Sequence, residues 1–314
     1  MYDTIELKLT KESGPGIDFL EEIPCYLTDV SEHSFSNGSI SITGKLKGLT
    51  VSVSPFALSI KKGSLCKWFN GDNLGTLKRK TVKEAIDKLS DCLHLPIDKA
   101  KVTRLDIAGN LKTKFKPAVY FEHFGQMKGF QRLEQPDGLY YKKERAGLTI
   151  CLYDKIREVK KKREDIPELY SKSNLLRYEL RYTKGLNKAF NVPELNAGML
   201  YSEDFYIDVI NRWHNFYFDI ERVNNLVINT SEMDSVKELD YMGRLALIKM
   251  AGGEQKFFKQ LEISKAKGEL TTKQAFRIKE AVKKAIKSNT APDKQAETLS
   301  ELDQKIKEIR RYYR

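Results

Sequence analysis

The chain has 314 residues, room for one large domain or two ordinary ones, and its 40% hydrophobic content is enough for a real core. Its formal net charge of +12 and pI of about 9.3 suggest a polyanionic partner, of which nucleic acid is the commonest. The four cysteines (Cys25, Cys66, Cys92, Cys151) form no CxxC pair, no apolar run approaches the roughly 18 residues that span a bilayer, and the N-terminal stretch lacks a signal peptide's apolar core; zinc knuckles, thiol redox motifs and membrane spans lose their support, and a cytoplasmic location is expected.

Residues 1–60 read as β-structure. Tyr2–Leu9 alternates, with Ile5, Leu7 and Leu9 on one face. An Asn37-Gly38 turn precedes a strand at Ser39–Thr43, and 49–56 alternates again. The polar, glycine-dotted segment 62–80 reads as a loop whose basic residues and Trp68 either meet DNA or simply cover the surface. Residues 81–94 read as a helix: Thr81 and Glu84 fit a capping box, and Val82, Ile86, Leu89 and Leu93 form an apolar stripe.

The strand 102–109 places Arg104 and Asp106 on one face. A carboxylate inside a strand runs against propensity, so Asp106 is either a surface residue paired to Arg104 or a metal ligand. Residues 110–138 carry no clear period. Leu139–Lys143 reads as a strand that turns through Ala146-Gly147 into a strand at 148–155, where Cys151, Tyr153 and Lys155 share a face. A basic helix follows near 155–164, with Arg157, Lys160, Lys161, Lys162 and Arg163. The strand 175–184 alternates most cleanly, with Arg177, Glu179 and Arg181 opposite Leu176, Tyr178, Leu180 and Tyr182.

From about 185 the chain reads as helical. Helices are expected at 203–222, 233–251, 254–264, 271–288 (with a capping-box pattern at Thr271–Gln274) and 294–314, with a break at Asn289–Asp293. The break AKGEL at 266–270 allows a helix-turn-helix, as it would in any small helical bundle. The expected fold class is α+β: a mainly antiparallel sheet with packed helices, then a helical C-terminal region. The expected domains are 1–200 and 201–314.

Three strands thus carry polar stripes, and together they suit phosphodiester cleavage. That reaction needs a nucleophile, stabilisation of charge on the phosphorus oxygens and an exit for the leaving oxygen. Mg²⁺ or Mn²⁺ held by Asp106 and Glu179 would supply Lewis acidity, since Mg²⁺ needs only one or two protein carboxylates. Arg104, Arg177 and Arg181 suit bidentate contact with phosphate, and Arg157, Lys160, Lys161 and Lys162 add a basic surface. Tyr153 is the candidate nucleophile, forming a phosphotyrosine, and Lys155 would lower the phenol's pKa or steady the phosphate. The histidines form no HxH or HExxH pair, and no GxxxxGK[ST], GxGxxG or GxSxG motif is present, so ATP hydrolysis, dinucleotide binding and zinc hydrolysis lack their usual signatures.

TRLDIA, LTICLYDKIRE and LLRYELR, in that order, resemble the rolling-circle replication initiators of the filamentous-phage gene II/X family and are similar to the Rep_trans initiators of Gram-positive plasmids. The useful match covers about 40–200. The resemblance implies a site-specific nickase and strand transferase that cuts one strand at an origin and stays joined to the 5′ phosphate through tyrosine. By position Tyr153 takes the nucleophile's place, and Asp106 and Glu179 are candidate metal ligands. Tyr140 and Tyr141, which begin the neighbouring hairpin strand, are the second choice. The two-histidine metal motif of many such nickases is missing here. The implied partners are origin DNA, single-stranded or supercoiled, with a host helicase and polymerase. A non-enzymatic origin-binding regulator and a relaxase for element mobilisation fit the same residues.

Overall fold

Strand periodicity runs through most of the first 182 residues, and it builds one ten-stranded sheet in which every pairing is antiparallel. The computed structural model describes residues 1–13, 16–171, 173–222, 236–288 and 294–313. In chain order the elements begin β1 (Tyr2–Thr10), α1 (Phe19–Glu22), β2 (Thr28–Ser34), β3 (Ile40–Leu46), β4 (Leu49–Ser54), β5 (Ala57–Lys61), α2 (Leu65–Asn70) and α3 (Arg79–Leu93). Then come β6 (Lys101–Thr113), α4 (Pro117–Phe121), β7 (Gln131–Gln135), β8 (Gly138–Lys143), β9 (Leu148–Asp154), α5 (Lys155–Lys161), α6 (Glu168–Ser171) and β10 (Asn174–Tyr182). The helical part comprises α7 (Leu186–Phe190), α8 (Glu203–Phe218), α9 (Val236–Met250), α10 (Glu254–Ala266), α11 (Thr272–Ser288) and α12 (Lys294–Tyr313). The fold is α+β with a helical C-terminal region, as the sequence predicts.

The strand order is β2-β3-β4-β5-β1-β6-β10-β9-β8-β7. β6 and β10 are hydrogen-bonded neighbours near the middle of this order. Their period of two divides them into an apolar face and a polar one. Leu105 and Ile107 of β6, Tyr178 and Leu180 of β10 and Ile150 of β9 are buried on the apolar face. α8 packs there through Trp213, whose indole N–H donates to the Tyr178 carbonyl at 3.2 Å, while the Tyr178 hydroxyl donates to the Trp213 carbonyl at 3.1 Å. Gly109 of β6 sits beneath that indole. A Cβ there would lie 2.7 Å from Trp213 Cζ2, so only glycine lets the ring reach the sheet.

Several local expectations change. The segment 62–80 is not all loop: it contains α2, capped by Ser64, whose Oγ accepts from the Lys67 N–H at 3.1 Å, and Trp68 is buried. α3 starts two residues before Thr81. The Thr81 hydroxyl therefore does not cap forward; it accepts from the Lys78 N–H behind it, at 2.7 Å. At 271 the capping box forms as read, with Gln274 N–H donating to Thr271 Oγ1 and Thr271 N–H to Gln274 Oε1. The unassigned stretch 110–138 supplies the end of β6, α4 and β7. β2 is fully exposed and has no apolar alternation to reveal it. The helix expected from 233 is described only from Val236, and the break at Asn289–Asp293 lies outside the described residues.

The chain forms two compact units. One comprises Met1–Phe121, Gln126–Ile220 and Gln304–Arg314; the other comprises Glu122–Gly125 and Glu221–Asp303. α8, which follows residue 200, belongs to the sheet unit. In the second unit α9 and α11 share a core of Leu245, Ile248, Val282 and Ala285, against which Phe257 and Phe258 of α10 pack. Gly268, at φ 76°, makes the turn between α10 and α11.

Candidate active site

On the polar face, register decides which side chains meet. β6 and β10 pair Asp106 with Arg181 and Asn110 with Arg177; β10 and β9 pair Arg177 with Tyr153 and Glu179 with Cys151. Asp106, Glu179, Arg181, Arg104 and Tyr153 thereby face one cavity of about 820 Å³. Its walls come from β1 (Asp3, Thr4, Glu6), α2 (Lys67, Trp68) and α5 (Lys155, Glu158), with Lys162 just past its end.

Charges on the floor are buried and paired, as burial requires. Arg104 grips Asp106 with two bonds, Nε to Oδ1 at 3.0 Å and Nη2 to Oδ2 at 2.7 Å. Glu179 Oε2 accepts from Tyr153 Oη at 3.1 Å and from Arg181 Nη2 at 3.0 Å, with Arg177 Nε 3.6 Å away. Arg177 also bridges to Asp3 Oδ2 at 2.7 Å and donates to the Asn73 carbonyl and to Asn110 Oδ1, each at 3.2 Å. Asp3 in turn accepts from the Ser64 hydroxyl at 2.6 Å.

The two carboxyls respond in opposite ways. Burial pushes Asp106 up to about 7, with the nearby Glu179 charge adding to the rise and Arg104 opposing it. Burial also works against ionised Glu179, but Arg177 and Arg181 outweigh it and hold that carboxyl down at about 2. Burial drives the Tyr153 phenol well above its usual range. Burial, then the Arg177 charge, lowers the Lys155 ammonium, although Lys155 Nζ donates to Glu158 Oε2 at 2.7 Å.

The structure brings Asp106, Glu179, Arg104, Arg181, Tyr153, Lys155 and Lys162 to this cavity. Lys155 does so from a different place than the strand pattern implies. β9 ends at Asp154, whose carboxylate caps α5 by accepting from the Arg157 N–H at 3.0 Å, and Lys155 is the first residue of that helix. Arg177 is corrected from a phosphate grip to a buried strut: it is 0% exposed and committed to Asp3, Asn110 and Glu179. Tyr141 is removed from the candidates by parity, since it pairs with Ile150 and lies buried on the apolar face. Tyr140, opposite Cys151, shares the polar face but opens to a second cavity of about 710 Å³ with Asp137, Arg157, Lys160 and Lys161. Burial and then Asp137 push its phenol up to about 12. Arg157 donates to the Pro136 carbonyl at 2.7 Å, and Lys162 pairs with Glu158.

Sequence reasoning missed Asp3, Glu6, Asn110 and Glu158. The signal for Asp3 was available, because a carboxylate within the β1 alternation is as anomalous as Asp106 within β6. The Lys155–Glu158 spacing of three along a helix was equally legible. Among the described residues, no group of three or more His, Cys, Asp and Glu side chains is arranged to hold a metal. The donor chemistry of the two floor carboxylates nevertheless suits a hard divalent cation. Both are buried on adjacent strands facing one cavity.

A large antiparallel sheet with a charged, tyrosine-bearing floor, in a chain of net charge +12, makes a scaffold suited to a polyanionic ligand. A family model for the N-terminal part of a phage replication-associated protein, of the gene II type, matches residues 1–214, and the chain belongs to that family of phage replication initiators. A search of curated proteins finds no match.

Proposed function

We propose that this initiator starts rolling-circle replication by nicking one DNA strand at an origin through a 5′-phosphotyrosine. The supporting observation is the hydrogen bond from Tyr153 Oη to Glu179 Oε2, on the floor of the cavity that Asp106 and Arg181 also face. In the first step Tyr153 Oη bonds to phosphorus and the bond from phosphorus to the 3′ oxygen breaks. The phenol proton passes to Glu179. An incoming phosphate that draws Arg181 away removes one of the charges holding Glu179 acidic, which makes it a better base at the moment a base is needed. Lys155, whose ammonium burial makes more acidic, delivers a proton to the departing 3′ oxygen. Reversal of these transfers religates the strand.

Asp106 and Glu179 would hold Mg²⁺ or Mn²⁺, which supplies Lewis acidity toward the phosphate oxygens when bound. Arg104 must then release Asp106, because it occupies both carboxylate oxygens. The free 3′ hydroxyl is the substrate for a host polymerase, and a host helicase would open the duplex ahead of it, in the host cytoplasm. One specific observation favours a second nucleophile: three cations of α5, Arg157, Lys160 and Lys161, line the cavity that Tyr140 opens to.

The test is a covalent-adduct assay on a denaturing gel. Labelled DNA spanning the gene and its flanks is mixed with protein and Mg²⁺ or Mn²⁺, beside Tyr153→Phe and Tyr140→Phe. An adduct lost only in Tyr153→Phe supports the reading as stated; loss only in Tyr140→Phe moves the nucleophile. Tight binding with no adduct on single-stranded or supercoiled DNA supports a non-enzymatic regulator instead. Replication and mobilisation share this transesterification, so a relaxase gives the same gel and is separated by its target sequence.

A further inference from the structure

Seven cationic side chains line the main cavity, and five are already committed. Lys67 pairs with Glu164, Lys155 and Lys162 with Glu158, Arg104 with Asp106 and Arg181 with Glu179. The remaining two, Lys47 and Lys62, are exposed and pair with no carboxylate among the described residues.

Both sit in unusual backbone. Lys47-Gly48 is the two-residue turn between β3 and β4, with φ at 47° and 94°. Lys62-Gly63, just after β5, has φ at 55° and 115°. Positive φ at the first turn position favours Asn, Asp or Gly, because a longer side chain's Cβ crowds the backbone. Lysine at both places runs against turn chemistry, and both lysines line the same cavity. The two turns also touch. A Cβ on Gly63 would lie 2.9 Å from Leu49 Cδ2 and 3.1 Å from the Gly48 carbonyl, so Gly63 keeps the second turn against the first. Two ammonium groups with no carboxylate partner among the described residues are thereby placed on one rim of the cavity.

The surface beyond that rim is of the same kind. Along β3, β4 and β5 the inward residues Leu46, Val51, Val53, Leu58 and Ile60 are buried. The register places Thr43, Ser52 and Ser59 together on the opposite face, with Lys45 and Lys61 beside them. That stretch of open face offers hydroxyls and ammonium groups and no carboxylate.

From this geometry we infer that Lys47 and Lys62 form a phosphate clamp that holds the backbone of single-stranded DNA where it crosses the cavity mouth, the strand continuing over the open face of β3–β5. The inference rests on the nicking reading of the cavity. It concerns binding alone, however, so it is tested without cleavage. The clamp neutralises two phosphates, and its grip should weaken with salt as counterions compete.

Fluorescence anisotropy with labelled oligo-dT in EDTA measures it, using the full chain and the variants Lys47→Asn/Lys62→Asn and Lys47→Arg/Lys62→Arg. Asparagine tolerates the left-handed backbone while removing the charge. The asparagine pair is expected to bind on the order of tens-fold more weakly at about 50 mM salt, with a log–log salt slope shallower by about 1.4, two contacts at about 0.7 each. The arginine pair keeps the wild-type slope. Thermal melting of both variants checks that the turns still fold. An asparagine pair that melts normally and keeps the wild-type affinity and slope overturns the clamp and leaves the nicking reading standing. A wild-type chain that does not bind oligo-dT overturns the clamp, and the covalent-adduct assay decides the nicking reading separately.

Discussion

Asp106 and Glu179 face one cavity from neighbouring strands, yet their carboxyls are driven apart, to about 7 and about 2. This has a sign that stability measurements can check. The unfolded chain releases the Asp106 proton near 3.8, while the folded protein keeps it to about 7, so folding takes up a proton between those values. The stability linked to Asp106 is therefore full below 3.8 and is lost as pH rises to about 7. Glu179 acts in reverse: its contribution is full above 4.5 and is lost as pH falls toward 2. Of the two carboxyls only Asp106 titrates between about pH 5 and pH 8; the buried Met1 ammonium, pushed well below its ordinary value by burial, acts there in the opposite sense. The test is therefore the difference, and the urea midpoint of Asp106→Asn is expected to fall less, or rise more, with pH than that of the wild type. Equal slopes in the two proteins would place the proton elsewhere. Glu179→Gln leaves the buried Arg177 without its second anion and the half-buried Arg181 without its partner. A loss of about 3 kcal/mol by urea unfolding is expected, the low end for a buried pair because Arg177 keeps Asp3 and Arg181 reaches solvent.

Among the elements, the site depends on a sheet whose back is pinned by α8. Gly109→Ala would force its methyl against the Trp213 ring, which carries hydrogen bonds to β10 in both directions. The expected cost is about 1–3 kcal/mol, read as a lower urea midpoint, with Trp213 fluorescence reporting the displaced ring. Thr81→Ala removes the acceptor for the Lys78 N–H at the start of α3 and is expected to cost about 1 kcal/mol. The stripes on β6, β9 and β10 were legible in the sequence because alternation is a local property that one strand displays by itself. Their mutual register was not. It depends on pairings such as Asn174 with Thr113 and Gly138 with Tyr153, and these separated Tyr140 from Tyr141 and turned Arg177 inward. β2 was illegible because a strand exposed on both sides needs no apolar period.

Across the chain as a whole, the sheet unit is not a contiguous stretch. Residues 304–314 return to it: Arg310 donates to Asn211 Oδ1 at 3.0 Å, the Tyr313 hydroxyl bonds to Thr76, and Lys78 lies 4.1 Å from the Tyr312 ring centroid. A chain ended after Ile220 would lose these contacts. Its sheet unit is expected to melt several degrees below that of the full chain, at about 2–4 °C per kcal/mol lost. Equal melting temperatures would show that the returning segment contributes nothing to stability.

Fold class, basic character and the three polar stripes could be read before any folding, because composition and period-two alternation belong to the chain alone. So could the family resemblance, since its motifs are short and contiguous. Packing settled the rest: which charges neutralise one another, which tyrosines open to solvent and which two lysines at the cavity mouth meet no carboxylate among the described residues. Those are properties of side chains far apart in sequence: Asp3 meets Arg177, and Lys47 and Lys62 line one cavity with Asp106. Distance along the chain says nothing about whether two such charges will share a wall or which of them burial will force to pair.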